Sequence, residues 1–264
     1  MPRTRSPVIW RLPQLTIQPT RIKTMKKTLV VLSVASLFTS VVAQADTGYI
    51  NVRHQYAEKT RMHADRAKFG IRLDSGLGLE GELKYKTAGD RQDVAFDNTV
   101  GSGHEFTVNY QHKINDRWML TPSLALDSDE ESTTYKLGLR LGYRVTKELS
   151  IAGRYRLDSA KLDRDKIDRD VPHNGQDDQT VNRYDIYINY GPQGPWAYEY
   201  QLTYFDADYI RYNGGTDDYE QNAVVKYQWD KRWAPFFEVG DIKVNSVDSD
   251  RQLRLRVGVK YSFF

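Results

Sequence analysis

The residues with the most evident chemistry in this chain are arginines placed at alternate positions. Arg154 and Arg156 are separated by one residue, and so are Arg254 and Arg256. Because alternate side chains of a β-strand point to the same face, each pair would present two guanidinium groups side by side. The planar guanidinium suits carboxylates, which it can bind through two parallel hydrogen bonds. The spacing therefore predicts a surface for anions, provided that these segments are strands.

Catalytic chemistry is much less evident. Cysteine is absent, which excludes thiol chemistry and a disulfide scaffold. A hydrolase site built without cysteine needs a nucleophile with a histidine and an orienting partner, or a paired aspartate and histidine. No histidine lies in an obvious arrangement of that kind, although distant strands can assemble one; the histidines are His54, His63, His104, His112 and His173. We predict neither an enzyme nor a cofactor, and an enzyme is kept as an alternative.

A metal site is not predicted either, although aspartates are dense between residues 163 and 178. Arginine and lysine residues interleave with these aspartates, and no spaced ligand loop with its glycine is visible. We interpret the segment as a solvated surface loop rather than a calcium site. The aspartates concerned are Asp163, Asp165, Asp168, Asp170, Asp177 and Asp178.

Alternation of apolar and polar residues extends over nearly the whole chain from Asp46. The last fourteen residues, RQLRLRVGVKYSFF, place Leu253, Leu255 and Val257 on one face of a strand and the arginines on the other. Twelve segments share this period-two pattern. Their length, about ten residues, suits strands that cross a bilayer at a tilt.

Connections and aromatic residues distinguish a soluble sandwich from a membrane barrel. Short connections alternate with long ones; Trp118, Trp196 and Trp233 each follow a short turn, and Trp229 precedes one. Tryptophans at one level form the aromatic girdle of a membrane barrel, whereas apolar-face tyrosines in a soluble sandwich would need buried hydrogen-bond partners. We predict an all-β, twelve-stranded antiparallel transmembrane β-barrel of the bacterial outer membrane, with short periplasmic turns and long outer loops.

The polar face of each predicted strand would line the lumen of such a barrel, while the apolar face meets lipid. Cations outnumber acids on the polar faces, and rows of arginine or lysine favour anions in a pore. We expect two cationic tracks on facing walls, one on the strands that hold residues 140–156 and one on the first two strands and the last. The predicted pore-lining and substrate-binding residues are Arg53, Arg66, Arg72, Arg140, Arg144, Arg154, Arg156, Arg183, Arg254 and Arg256.

Three segments are predicted along the chain. Residues 25–45, MKKTLVVLSVASLFTSVVAQA, have the lysines, the apolar stretch and the small residues of a secretory signal peptide, with cleavage after Ala45. Residues 1–24 are interpreted as an extension from a mis-assigned start, and residues 46–264 as a single outer-membrane β-barrel. Residues 1–45 carry seven of the 38 basic residues and none of the 35 acidic residues, so the barrel has a net charge of −4. Nucleic-acid binding is therefore not expected.

The barrel segment resembles the oligogalacturonate-specific monomeric channels of enterobacterial outer membranes, a family that includes a sialic acid channel. The resemblance covers essentially all of residues 46–264 and rests on ADTGYINVRHQY, RWMLTPSLAL, LGLRLGYRV, RYRLD and RLRVGVKYSFF. It implies a twelve-stranded barrel whose narrow pore carries arginine tracks and passes acidic oligosaccharides, typically pectin fragments. By their place in these segments, the resemblance assigns the tracks to Arg53, Arg140, Arg144, Arg154, Arg156, Arg254 and Arg256.

Together these observations predict a passive channel, working without a cofactor, for small anionic oligosaccharides and first of all oligogalacturonates. The expected partners are the acidic oligosaccharide and outer-membrane lipid, with no nucleic acid, and the expected state is a monomer. Another acidic sugar, such as a sialic acid, stays open because the resemblance does not fix the sugar. An outer-membrane barrel enzyme and a structural barrel with a plugged, self-neutralised lumen are the remaining alternatives.

Overall fold

A computed structural model of the protein describes residues 47–163 and 178–263. The described part consists of strands joined by turns and loops. The predicted segments 1–24 and 25–45 and most of the aspartate-rich stretch lie outside the described residues. The strands are β1 (Thr47–Ala57), β2 (His63–Arg72), β3 (Leu77–Thr87), β4 (Thr99–Tyr110), β5 (His112–Lys113), β6 (Trp118–Ser128), β7 (Ser132–Arg144), β8 (Leu149–Leu162), β9 (Asp178–Tyr190), β10 (Trp196–Ala207), β11 (Asp217–Tyr227), β12 (Trp233–Lys243) and β13 (Arg251–Ser262).

The strands form one closed antiparallel barrel. Each strand pairs with its neighbour in the sequence, the last strand β13 pairs with β1, and β4 pairs with β6 to close the ring. The two-residue β5 continues β4 beyond Gln111 and also pairs with β6. With β5 counted as the end of β4, the ring has twelve strands, and the predicted twelve-stranded barrel is confirmed. Closure satisfies the edge hydrogen bonds that an open sheet would leave exposed.

The apolar face of the sheet lies on the outside of the barrel. Leu137 and Val257 are each 58% exposed, and Ile186 is 54% exposed. Residues of the opposite parity are polar and covered: the Thr203 side chain is fully buried, and Asp185 is 2% exposed. This inside-out distribution is what alternation produces in a membrane barrel, where lipid solvates the apolar face. Among the described residues, no helix is long and apolar enough to cross a membrane.

Aromatic residues cluster at the periplasmic turns, as the sequence predicts. The ring of Trp118 lies 4.6 Å from that of Tyr143, and Trp233 lies 4.7 Å from Tyr261, measured between ring centroids. The turn before Trp233 is closed by Asp230, whose Oδ1 accepts hydrogen bonds from the backbone nitrogens of Trp233 and Arg232. These two donors hold the pKa of the Asp230 carboxyl below its ordinary value.

Several outer connections are shorter than the alternation alone suggests, because the strands continue beyond the predicted ends. The sequence predicts strands over Trp118–Leu126 and Thr134–Arg144, but β6 runs to Ser128 and β7 starts at Ser132, so only residues 129–131 connect them. The sequence also predicts a polar, glycine-rich loop over residues 87–103, whereas β4 already starts at Thr99. Glycine and aspartate weaken a strand prediction, whereas neighbouring strands in a barrel supply hydrogen bonds that extend the ladder.

Candidate functional site: the barrel lumen

Inward-facing arginines form two groups on opposite walls of the barrel. One group lies on β7, β8 and β9, and the other on β13, β1 and β2. In the ring of twelve strands, β8 stands six strands from β1 in either direction. The first group contains Arg140, Arg144, Arg154, Arg156 and Arg183, and the second contains Arg53, Arg66, Arg72, Arg254 and Arg256.

The first wall is built by cross-strand pairs of arginines. Arg140 of β7 lies directly opposite Arg154 of β8, and Arg156 lies opposite Arg183 of β9. Tyr187 of β9 also faces inward, with its ring centroid 4.6 Å from the guanidinium carbon of Arg140 and 5.6 Å from that of Arg154. The aromatic face stabilises these cations where like charges adjoin. The strand register therefore produces a continuous basic surface.

A buried carboxylate organises the same wall. Asp185 accepts a hydrogen bond from Arg154 Nε at 2.8 Å and from Arg183 Nη2 at 2.9 Å. Gln201 Nε2 and Thr203 Oγ1 donate to the same oxygen, Oδ1, at 2.8 and 2.7 Å. These four donors take the place of water around the buried carboxylate. Asp185 thus fixes the orientation of two of the predicted site arginines.

The second wall brings Arg53 and Arg66 together as cross-strand partners of β1 and β2. Arg256 of β13 binds Glu238 through Nη1 at 2.5 Å and Gln55 through Nε at 2.8 Å. Arg53, Arg66 and Arg256 line a cavity of about 400 Å³ that reaches across to Gln201 of β10. The cavity therefore adjoins the second wall and the strands β10 to β12.

Three predicted site residues have a different environment from the rest. Arg72 donates to the carbonyl of Gly76 at 2.9 Å and to Asn109 Oδ1 at 2.9 Å, so it closes a periplasmic turn. Arg144 is exposed at the periplasmic rim. Arg254 is 8% exposed and donates to Asn222 Oδ1 at 2.7 Å, near the outer end of β13. These arginines extend the two walls to the rims rather than to the middle of the pore.

The lumen is more strongly neutralised than the sequence indicates. Lys136 forms ion pairs with Glu105 and Asp127, each at 2.6 Å, and Arg156 Nη2 pairs with Asp158 at 2.6 Å. Sequence reasoning missed Asp127 and Asp218, because both lie beyond the predicted strands Trp118–Leu126 and Tyr219–Trp229. Asp158 and Glu220 lie inside predicted strands but were left out of the predicted luminal acids. Alternation, continued past the strand ends for the first two, was the signal that could have found them.

Besides Arg72, at its turn, and Lys86, near the outer rim, four inward cations have no carboxylate within 4 Å among the described residues: Arg53, Arg140, Arg144 and Lys260. Lys260 instead lies over the ring of Tyr49, at 4.8 Å from its centroid. The Nε of Arg140 is buried without a hydrogen-bond partner in the described part of the chain. These groups lie from the middle of the barrel to its periplasmic end. They supply positive charge that the protein itself leaves uncompensated.

An outer loop adds a cation that the sequence did not point to. Arg211, in the connection between β10 and β11, stacks on the inward-facing Phe205 with its guanidinium carbon 3.9 Å from the ring centroid. Arg183 lies 5.2 Å from the same centroid. Arg211, Lys243 and Arg251 surround the buried carboxylate of Asp218 at 3.6 to 3.8 Å. The loop is thereby tied to the outer mouth of the lumen.

The histidines require a correction, because strand pairing assembles an arrangement that was not obvious in the sequence. His54 lies opposite Asp65 and hydrogen-bonds to it, on the outer surface of the barrel and not in the lumen. In the described part of the chain, no hydroxyl is hydrogen-bonded to the imidazole of His54 or His63, so no activated nucleophile is present there. No group of His, Asp and Glu residues that could hold a metal ion occurs among the described residues.

Comparison with known proteins gives a consistent result. The family described as oligogalacturonate-specific porin protein (KdgM) matches residues 39–263. The oligogalacturonate-specific porin KdgM of Dickeya dadantii is 32% identical over 253 residues, covering 90% of this chain and 100% of the relative. The N-acetylneuraminic acid outer membrane channel protein NanC of Escherichia coli is 24% identical over 245 residues, covering 90% of this chain and 99% of the relative.

A solved structure of the KdgM porin superposes with a TM-score of 0.60 and 26% identity, covering 82% of this chain and 99% of the porin. The agreement extends over the barrel as a whole, since it includes nearly all of the solved chain. It supports the closed barrel on which the two walls depend.

Proposed function

Because the chain belongs to the oligogalacturonate-specific porin family of the bacterial outer membrane, we propose that it is a passive, monomeric channel for small anionic oligosaccharides, oligogalacturonates in the first place. The observation that carries the proposal is the placement of the cations without a carboxylate partner. Arg140 and Arg144 lie on one wall, and Arg53 and Lys260 on the other, with a ligand-sized cavity between β1 and β10. A chain of carboxylates that passes through the lumen would meet cations on both walls.

The mechanism is electrostatic and needs no cofactor or covalent step. Guanidinium and ammonium groups replace the water around each carboxylate, in a narrow lumen where charges act more strongly than on an open surface. The sites must be many and individually weak, so that the substrate also leaves. The ion pairs serve this requirement, because Asp185, Glu238 and Asp158 compete with the substrate for the same arginines.

A second candidate substrate is a sialic acid, since one relative carries that name. A sialic acid has one carboxylate, whereas an oligogalacturonate has one on each sugar. The row from Arg144 through the Arg140–Arg154 pair to Arg156 favours the oligomer, because it offers cations at successive levels of the barrel wall. A hydrolytic role has no support in the lumen, where the described carboxylates bind arginine or lysine.

The test is the reversal potential and conductance of the refolded protein in a planar bilayer, with and without oligogalacturonate or sialic acid. We expect anion preference, with current block by oligogalacturonate. Block by sialic acid alone would transfer the channel to that substrate. A channel that prefers cations, or a protein that conducts no ions, would overturn the proposal.

The role of Arg140 in anion selectivity is tested by the variant Arg140→Gln, with Lys147→Gln as its matched control. Each variant removes one positive charge, but Lys147 lies in an exposed periplasmic turn. Because salt screens charges beyond about 10 Å, the turn variant should leave the reversal potential close to wild type. We expect Arg140→Gln to lower both anion selectivity and the strength of oligogalacturonate block. Equal effects of the two variants would contradict a role for Arg140 in the lumen.

A further inference from the structure

An ionisable cluster lies on the lipid-facing surface of the barrel, toward the outer ends of β1 and β2. His54 Nδ1 is 2.8 Å from Asp65 Oδ1, and His54 Nε2 is 2.9 Å from His63 Nδ1. These side chains share the outward parity of Ile50 and Val52. Ionisable groups on the lipid face of a barrel are costly, so a connected set of three is a candidate site.

The geometry of the cluster restricts where its protons lie. Asp65 as a carboxylate accepts from His54 Nδ1–H, and then His54 Nε2 and His63 Nδ1 share a single proton between them. With both imidazoles neutral, this leaves His63 Nε2 as an acceptor. One further proton converts His63 Nε2 to a donor in every arrangement that keeps both hydrogen bonds. His63 Nε2 has no partner among the described residues, so this donor is available to a ligand.

An apolar groove adjoins the cluster. It has a volume of about 540 Å³ and is lined by Val52, Ala67, Val257, Val259 and Tyr85, with His54 and Asp65 at one end. The Val52–Ala67 row lies one pleat closer to the middle of the membrane than the His54–Asp65 row. The groove therefore descends from a polar end at the outer boundary into the hydrocarbon region. This polarity matches an amphiphile and not a soluble ion.

Aromatic residues frame the polar end. The ring centroid of Tyr56 lies 4.9 Å from that of His63, and the ring of Phe96 lies 4.9 Å from His54. Phe96 belongs to the outer loop between β3 and β4 and has a φ of 63°, a conformation that costs free energy for a non-glycine residue. It is nevertheless 68% exposed. Because Phe96 lies over the cluster and is exposed, its ring could contact one side of a bound headgroup.

We propose that this surface binds a phosphate-bearing lipid of the outer leaflet, with an acyl chain in the groove and the phosphate at His63. The carboxylates of Asp93 and Asp65, near the site, already have partners. Arg61 of the adjoining loop pairs with Asp93 at 3.3 Å and is 67% exposed, while Asp65 is bound to His54 and not to His63.

The test measures lipid retention by the full-length protein. The refolded barrel is incorporated in nanodiscs that contain equal amounts of a phosphatidic acid and of the diacylglycerol with the same acyl chains. The protein is then transferred to detergent, and native mass spectrometry identifies and quantifies the lipids that stay bound. We expect phosphatidic acid to be retained about tenfold over diacylglycerol, the size of one charge-assisted hydrogen bond. Equal retention of both lipids would overturn the proposal.

Three variants locate the effect. His63→Gln should abolish the preference for phosphate, whereas His104→Gln, which removes an outward-facing histidine of β4 outside the cluster, should leave it unchanged. Ala67→Leu, which fills the groove, should lower retention of both lipids. A preference that survives His63→Gln, or retention unaffected by Ala67→Leu, would count against the site.

Two further readouts separate the possible sources of a signal. Folding of each variant is checked by its heat-dependent gel mobility, and its conductance should equal that of wild type, since none of these side chains faces the lumen. Inorganic phosphate alone should leave the imidazole NMR resonances of His63 unchanged. A shift with inorganic phosphate equal to that with phosphatidic acid would replace the lipid by free phosphate and overturn the proposal.

Discussion

At the scale of single residues, hydrogen-bond partners decide what each inward arginine does. Arg140 and Arg154 are cross-strand neighbours with the same parity, yet Arg154 donates to Asp185 and Arg140 binds no described carboxylate. Arg72 has the same parity in its own strand and closes a turn. Residue type and spacing therefore identify the candidates, and the partners assign their roles.

Asp185→Asn tests this assignment. Asp185 is 2% exposed and holds two guanidinium groups, and removing one side of a buried ion pair costs about 3–5 kcal/mol. We expect the variant to lose about that much free energy of unfolding in urea titrations, and to become more anion-selective because the lumen loses a negative charge. Glu199→Gln is the control, since its pair with the half-exposed Lys226 is worth about 0–1 kcal/mol. Similar losses in both variants would contradict the role of Asp185.

At the scale of strands, glycines of β13 and β12 allow neighbouring strands to carry large inward side chains. A Cβ added to Gly258 would lie 2.5 Å from the ring of Phe236 and 2.5 Å from the carbonyl oxygen of Val52. Gly240 is similar, with Asn222 Oδ1 2.4 Å from an added Cβ. The space left by Gly258 lies beside Arg53, its cross-strand partner.

Gly258→Ala should destabilise the barrel by about 1–3 kcal/mol, because the Val52 carbonyl belongs to the backbone and cannot move without breaking the ladder. Gly153→Ala is the matched control, since an added Cβ there meets nothing within 4 Å. The measurement is the urea midpoint of unfolding for the refolded proteins. A midpoint for Gly258→Ala equal to that of Gly153→Ala would show that the contact relaxes freely.

At the scale of the whole molecule, the distribution of charge differs between the two ends of the lumen. Most inward cations at the outer end are held by carboxylates, as in the pair of Arg254 with Glu220, although Lys86 has none within 4 Å among the described residues. Arg140, Arg144 and Lys260, toward the periplasmic end, have no such partner among the described residues. We therefore expect an asymmetric field along the pore axis, which would draw anions from the outer mouth toward the periplasm.

This asymmetry predicts that the channel rectifies, passing unequal currents at equal and opposite voltages. Lys260→Gln and Arg254→Gln form a matched pair, because each removes one inward positive charge from β13, at its periplasmic and its outer part respectively. We expect Lys260→Gln to reduce rectification and Arg254→Gln to increase it. Current–voltage curves of single inserted channels provide the measurement. A symmetric wild-type curve would contradict the charge distribution.

What the sequence by itself determined is the barrel and the identity of its two faces. Strand alternation is a local property, so the twelve crossings, the lipid-facing parity and the tryptophans at the short turns could all be predicted without tertiary contacts. The two facing walls also followed, because in a closed meander the strand number alone places β8 opposite β1.

Only the tertiary structure decided which charges compensate one another, because an ion pair depends on register and on where each strand ends. Asp127 entered the lumen when β6 extended beyond its predicted end, and Asp185 reached Arg154 through pairing of β8 with β9. The contact of the loop residue Arg211 with Phe205 likewise depends on tertiary packing. The outer cluster forms because His54 lies on β1 and Asp65 and His63 lie on β2. Their distances are set by packing, which period-two alternation does not encode.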